Sequence, residues 1–415
     1  MIPLFLTAPV SLFSFSASEY NLQGCKELNE KNYEKAIASF ESALNEEPGN
    51  AVYRKNLAIA LNNAAIEYEK NGDFPSAYNY LKKAVSAEPG SDEFSKNFAV
   101  ILRNEALKRY KKKLRTGLVI PLLEEALQYD GANASLYDFL GQVYYDSEDE
   151  LKALAKWKKA VAIDPSQKNI KKKLEKLQKE MKAEKNFLSQ EFRHFKVRFN
   201  GFENWEAAWK ALNLLDKAYY EIGGKFYLYP DKHLTAIIYT GGEFQEVSET
   251  PVWTAGLYDG KIRVKEAQIK VGGDDLKRII YHEYTHAIIH YYVGDAMPVW
   301  LNEGYAQYCE MLPDKPVLNT FEKEILKKRI DAWWAPDFGK LDEYFVKKQS
   351  EDDTRFAYAF SKSFVIYLAE KGGEYNLKNL LDELRRGVKA ENAFDKVYFK
   401  SLGMLVDGWK NNFKE

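Results

Sequence analysis

The sequence predicts a mostly α-helical chain in two parts. An array of antiparallel helix pairs spans residues 19–167, and an α+β domain with a small twisted sheet and a helical C-terminal part spans residues 190–415. Three observations carry this prediction. One spacing of small and large apolar residues recurs four times in the first half. After Phe192 the pattern changes to strand-like alternation, with a two-residue hairpin signal at Asp259-Gly260. Then His282-Glu283-Tyr284-Thr285-His286 lies inside Asp275–Tyr292, where apolar residues return at helical spacing.

The first residues are apolar and uncharged from Ile2 to Phe15, with small residues at Ser14, Ser16, Ala17 and Ser18. This favours a cleaved export signal over residues 1–18 and a periplasmic or extracellular protein. The basic start of such a signal is missing, so a cytoplasmic chain with this segment packed on the first helix pair is the alternative. Pro3 and Pro9 and the short length argue against a membrane-spanning helix, and no later stretch qualifies. Leu22-Gln23-Gly24-Cys25 mimics a lipoprotein cleavage box, but polar residues separate it from the apolar run.

The repeats follow. The first has Gly24, Ala36, Phe40, Ala43 and Pro48; the second has Ala65, Tyr68, Ala77, Leu81, Ala84 and Pro89. A degenerate third has Tyr110, Leu123, Ala126 and Gly131, and the fourth has Gly141, Tyr144, Ala153, Trp157, Ala160 and Pro165. Small residues let two helices approach, large ones fill the space between them, and Pro ends the second helix. The pattern resembles the 34-residue tetratricopeptide repeat (TPR), which implies an α-solenoid whose concave face binds a protein or peptide. Extra residues between repeats one and two, and two and three, lengthen helices or loops. Residues 168–189 then form a capping helix and linker. Ile170, Leu174, Leu177 and Met181 make its apolar stripe, and Glu175, Glu180 and Glu184 dilute its lysines on a solvated face.

In the second half, Phe192–Phe199 alternates like a strand and Trp205–Ile222 reads as an amphipathic helix. His233–Tyr239 is β-rich, and Thr254–Tyr258 and Lys261–Val264 flank the hairpin turn. After residue 303 the chain reads as helical, most clearly at Phe356–Lys371 and Leu377–Gly387. A net charge of −1 excludes a basic nucleic-acid binder, and two cysteines, Cys25 and Cys309, give no disulfide framework. Both cysteines read as packed small residues.

His282 and His286 are four residues apart, so both imidazoles can reach one metal ion, and Glu283 beside them can act as a base. His290 continues the row, but eight residues of helix rise about 12 Å, too far for a shared ion. Tyr292 stands where a third His of a longer His-x-x-Gly-x-x-His pattern would be. Gly294 and Pro298 break the helix, and a second helical run, Val299–Met311, can bring Glu303 back to the two imidazoles. Two imidazoles and one carboxylate suit Zn²⁺ and leave it a net positive charge that acidifies water.

His-Glu-x-x-His followed by Asn302-Glu303-Gly304-Tyr305-Ala306 resembles the gluzincin metallopeptidases, most closely the peptidase MA-like group, often found beside TPRs. The resemblance covers roughly residues 190–415 and the repeats before them. It implies a zincin-like fold, one zinc ion on His282, His286 and Glu303, Glu283 as general base, and a peptide or protein substrate. An edge strand ahead of the motif helix, here within the Thr254–Val264 hairpin, would pair with the substrate backbone. Some gluzincins carry Asp four residues after the ligand Glu; this chain has Gln307, whose amide oxygen can still accept an imidazole N–H. A Tyr or His from the C-terminal part generally stabilises the oxyanion, and Tyr358, in Tyr358-Ala359-Phe360-Ser361, is the candidate, against a Tyr simply packed between helices. Arg355 reads as a surface salt bridge. The leading function is a zinc metallopeptidase whose repeats recruit a partner or substrate. The alternatives are a TPR binding scaffold with an inactive or structural zinc domain, and zinc hydrolysis of a non-peptide amide.

Overall fold

A computed structural model describes residues 15–112, 116–248, 256–332, 337–346 and 350–414. The apolar run before Phe15 and the start of the expected hairpin, Thr254 and Ala255, lie outside the described residues. The chain divides into two compact units, Met1–Gln178 and Lys179–Glu415.

The first unit is a TPR-type α-solenoid of four helix pairs. They are α1 (Ala17–Asn29) with α2 (Tyr33–Glu46), α3 (Ala51–Lys70) with α4 (Phe74–Ala87), α5 (Asp92–Lys111) with α6 (Ile120–Tyr129), and α7 (Ala134–Asp146) with α8 (Glu150–Ile163). Gly24 and Gly141 show why the small positions matter. A Cβ on Gly24 would sit 2.7 Å from the Phe40 ring, and one on Gly141 would sit 2.6 Å from Trp157. Ala36, Ala43, Ala77, Ala84, Ala153 and Ala160 are fully buried between the paired helices. The extra residues go into helix rather than loop: α3 and α5 have 20 residues each against 13 in α1 and α7. Amide contacts tie successive first helices together, with Asn56 donating to Asn21 at 2.9 Å, Asn97 to Asn62 at 2.9 Å and Asn104 to Glu69 at 2.8 Å.

The helix α9 (Lys168–Ala183) follows the fourth pair. Its C-terminal end departs from the expected solvated face. Glu180 and, just beyond the helix, Glu184 are buried within the second unit. Glu180 pairs with Arg263 at 2.6 Å, and Glu184 pairs with Arg198 at 2.8 Å and with the Tyr239 hydroxyl. Opposite charges brought in from the sheet compensate carboxylates that could not otherwise leave water.

The second unit is built on a five-stranded sheet of order β1-β2-β3-β5-β4. The strands are β1 (Phe187–Phe192), β2 (Phe195–Asn200), β3 (Leu234–Tyr239), β4 (Gly256–Tyr258) and β5 (Ile262–Lys265). β2, β3 and β5 run parallel, and β1 and β4 are antiparallel edges. The single strand expected at Phe192–Phe199 is therefore the end of one strand and most of the next. Arg193-His194 make a two-residue turn, Arg193 has φ 51, and Phe192 pairs with Phe195. The alternation slips by one residue at this turn, where two polar residues stand together between Phe192 and Phe195, and a reading that passes over the slip merges the two strands. Around Asp259-Gly260, β4 and β5 form a hairpin as expected, but Tyr258 pairs with Ile262, so the turn has three residues, Asp259–Lys261, rather than two, with Gly260 at φ 105.

The helices of this unit are α10 (Trp205–Phe226), α11 (Gly241–Ser248), α12 (Glu266–Val271), α13 (Gly273–Tyr292), α14 (Val299–Cys309), α15 (Thr320–Asp331), α16 (Phe338–Val346), α17 (Glu351–Arg385), α18 (Ala390–Tyr398) and α19 (Leu402–Lys414). Gly373, at φ 68, breaks α17 into the two helical stretches read from the sequence. One core joins α10, the sheet, α13, α14 and α17. α13 is held by Tyr281, whose hydroxyl donates to Glu221 at 2.9 Å, and by Tyr284 against Phe195. α14 is held by Trp300, stacked on Phe394 and packed against the tilted rings of Phe338, Phe360 and Phe364, and the Trp300 backbone N–H donates to Asp342 at 2.8 Å. A Cβ on Gly304 would lie 2.5 Å from the Ser361 carbonyl oxygen, so only glycine lets α14 approach α17 this closely.

Candidate metal centre

Helix α13 carries His282, Glu283 and His286. A short turn at Gly294–Ala296, with Gly294 at φ 73, and the extended Met297-Pro298 send the chain into α14. This return brings Glu303 to the two imidazoles. The Nε2 atoms of His282 and His286 are 3.1 Å apart, and Glu303 lies 3.6 Å from the first and 3.5 Å from the second. The three donor atoms all lie within 4.8 Å of one another. Donors at zinc–ligand distance on a tetrahedron stand about 3.3 Å apart, so the spacing fits one zinc ion. The donor chemistry fits as well, and Glu303 Oε2 is buried with no hydrogen-bond partner. His290 is exposed, packs its ring near Tyr258 at 5.8 Å and is outside this cluster.

Electrostatics divide the two imidazoles. Burial pulls both downward. For His282 it is outweighed by the Glu310 hydrogen bond and by the charges of Glu283 and Glu303, which raise it to about 9. For His286 burial prevails and the ring is held below the usual histidine range. Glu283 is buried, and that burial pushes its carboxyl up to about 7. The Tyr358 hydroxyl is raised by burial and by the charges of Glu303, Glu283 and Glu310, so it stays protonated and able to donate. Tyr358 remains 39% exposed and sets its ring edge-on against Phe345. Arg355 pairs with Glu351 on its own helix. Cys309 is buried, and burial pushes its thiol up to about 12, as for a packed residue.

The partner expected for an imidazole N–H was Gln307. The structure puts another residue there. Glu310 Oε1 lies 2.7 Å from His282 Nδ1, whereas Gln307 is buried with its Nε2 unpartnered. Glu310 caps the C-terminus of α14, two turns beyond Glu303. Seven residues is nearly two full turns, so Glu303 and Glu310 share a helix face, a signal that was present in the sequence. His286 Nδ1 and Asn302 Oδ1 are also buried, and Asn302 is the neighbouring side chain that favours the protonated His286 ring. The strand nearest the site is β4. It is the last strand of the sheet, with β5 as its one neighbour among the described residues.

Residues 238–415 match the family model of the Peptidase MA superfamily. No curated protein matches the chain. Solved structures similar to it include MamA from residue 41 onward from Desulfovibrio magneticus RS-1, at 20% identity over 40% of this chain and 85% of that one, TM-score 0.24. PilF of Pseudomonas aeruginosa is similar at 20% identity over 40% of this chain and 69% of that one, TM-score 0.21. YrrB, described as a TPR protein with an unusual peptide-binding site, is similar at 22% identity over 38% and 73%, TM-score 0.23.

Proposed function

We propose that this Peptidase MA domain is a zinc-dependent peptidase, with His282, His286 and Glu303 as the ligands and Glu283 as the general base. One observation carries the reading: three donors converge at zinc spacing while a fourth group, the buried Glu283, sits beside them outside the ligand set. A purely structural site has no use for such a base. Zinc held there would supply Lewis acidity and lower the pKa of water. Glu283, with an affinity for protons near neutrality, takes a proton from the attacking water and passes it to the leaving amine. Tyr358 donates a hydrogen bond to the carbonyl oxygen as that oxygen gains charge. Strand β4, whose one strand neighbour among the described residues is β5, would offer backbone N–H and C=O groups to an extended peptide, giving affinity with little side-chain selectivity. The repeat array recruits a protein partner or substrate, and the apolar start of the chain supports export.

The test is metal content and cleavage of an unbiased peptide library, comparing wild type with Glu283→Gln. Zinc should remain near one per chain while turnover falls by about 10²–10⁴-fold. Full activity in the variant refutes the base assignment. Zinc binding by wild type with no cleavage of any peptide favours a binding scaffold with a structural zinc domain.

A further inference from the structure

A base works only if its carboxylate is held to within about 0.5 Å of its productive position. We propose that Gly256, at the start of β4, is the positioning residue for Glu283: the space its missing side chain leaves is the space the Glu283 side chain occupies. A Cβ on Gly256 would lie 2.9 Å from Glu283 Cγ, 2.9 Å from Glu283 Oε1 and 2.9 Å from Ile279 Cγ2. Real Cβ atoms do not approach heavy atoms so closely, so a side chain here must displace something. Gly256 lies in the extended strand β4, paired with Val264, a conformation open to any residue. The requirement is steric.

What yields is decided by how firmly each wall is held. β4 cannot easily retreat. Gly256 pairs with Val264, and the hairpin turn is clamped where Arg263 Nε donates to both Asp259 oxygens at 2.9 and 3.0 Å. Arg263 is itself fully buried and held by Glu180 at 2.6 Å. Ile279 belongs to α13, which is fixed in the core. The long, rotatable Glu283 side chain is the element that moves, and its carboxylate carries the displacement. Gly256 therefore sets where the base stands, and the three atoms nearest its missing Cβ belong to Glu283 and Ile279 rather than to a metal ligand.

The catalytic consequence rests on the peptidase reading, but the steric coupling does not, so two measurements keep them apart. The first uses metal-free protein and a double-mutant cycle of Gly256→Ala with Glu283→Ala, read as thermal stability. Gly256→Ala should lower the melting temperature by several degrees when Glu283 is present, and by less than half as much when it is Ala, the remainder coming from Ile279. Equal losses in the two backgrounds overturn the proposal. Should Gly256→Ala not fold alone, recovery of folded protein in the double variant is the supporting result and failure to recover is the refuting one. The second measurement loads wild type and Gly256→Ala with zinc. Zinc affinity should agree within about threefold, while kcat falls at least tenfold with KM little changed, since small misplacements of reacting groups cost up to about 10²-fold. Wild-type kcat, or a loss explained entirely by weaker zinc binding, overturns the positioning role. If wild type cleaves nothing, the peptidase reading fails, and the metal-free cycle still decides whether Gly256 positions Glu283.

Discussion

Replacing Glu310 tests how the metal centre is built. Its Oε1 lies 2.7 Å from His282 Nδ1. A charge-assisted hydrogen bond of this kind is worth about 1.5–3 kcal/mol. The Glu310 side chain is 25% exposed, and solvent screening confines the value to the lower part of that range, about 1.5–2 kcal/mol. That corresponds to a loss of about 10–30-fold in zinc affinity for Glu310→Ala, because the imidazole is no longer oriented. The proton acts in the opposite direction. In metal-free protein His282 is raised to about 9, with Glu310 the leading upward cause, so zinc at pH 7 must displace a proton at a cost of about 100-fold. Glu310→Ala weakens that competitor, so at pH 7 the two effects partly cancel. At pH 9.5 most of the competition is gone and the orientation term stands alone. The assay is competition between protein and a chromophoric chelator for zinc at both pH values. The expected result is a loss of about 10–30-fold at pH 9.5, a smaller loss at pH 7, and less than about threefold for Gln307→Ala at either. Unchanged affinity of Glu310→Ala at pH 9.5, or a larger loss for Gln307→Ala, would refute the reasoning.

Two further outcomes follow from the same geometry. Tyr358→Phe removes the proposed donor to the carbonyl oxygen and should lower kcat by about 10²–10³-fold with KM and zinc content nearly constant, checked by steady-state kinetics on a peptide that wild type cleaves; unchanged kcat assigns Tyr358 to packing. In metal-free protein, Glu283 is raised from 4.5 to about 7 and His282 from 6.5 to about 9. Raised folded-state values contribute stability at low pH that is lost as pH rises, between about 4.5 and 7 for Glu283 and about 6.5 and 9 for His282. Thermal denaturation from pH 5 to 9 should therefore show this decline in metal-free protein and a shallower one in Glu283→Gln, and an identical profile for the two would remove the assignment to Glu283.

The helix pairs were legible because close helix packing demands small residues at fixed places. Gly24 against Phe40 and Gly141 against Trp157 are visible as spacing before any coordinates exist. The motif helix was legible for a related reason, since four residues are one turn and place His282 and His286 together. The β1–β2 turn was missed because its one sign in the sequence is a single slip in the alternation, the adjacent polar pair Arg193-His194 between Phe192 and Phe195. The buried face at Glu180 and Glu184 was hidden because a charged residue shows its burial only through its partners. Those partners are Arg263, Arg198 and Tyr239, far along the chain.

By itself the sequence determined the local terms: which stretches are helix, which face carries the imidazoles, where the chain turns, and which carboxylate could return to the pair. The first three depend on neighbours within about two helical turns; the last needed only the helix break at Gly294 and Pro298 between the imidazoles and Glu303. Tertiary structure alone decided which carboxylate orients His282 and why residue 256 is glycine. Glu310 and Gln307 are both acceptors near Glu303 in the sequence, and only the pose of α14 against α13 sets Glu310 Oε1 at 2.7 Å from His282 Nδ1. Gly256 lies 27 residues before Glu283 on a different element, and its need to lack a side chain exists only where an edge strand and a helix meet. Periodicity reports what one element presents; the distance between two elements is set by everything packed around them.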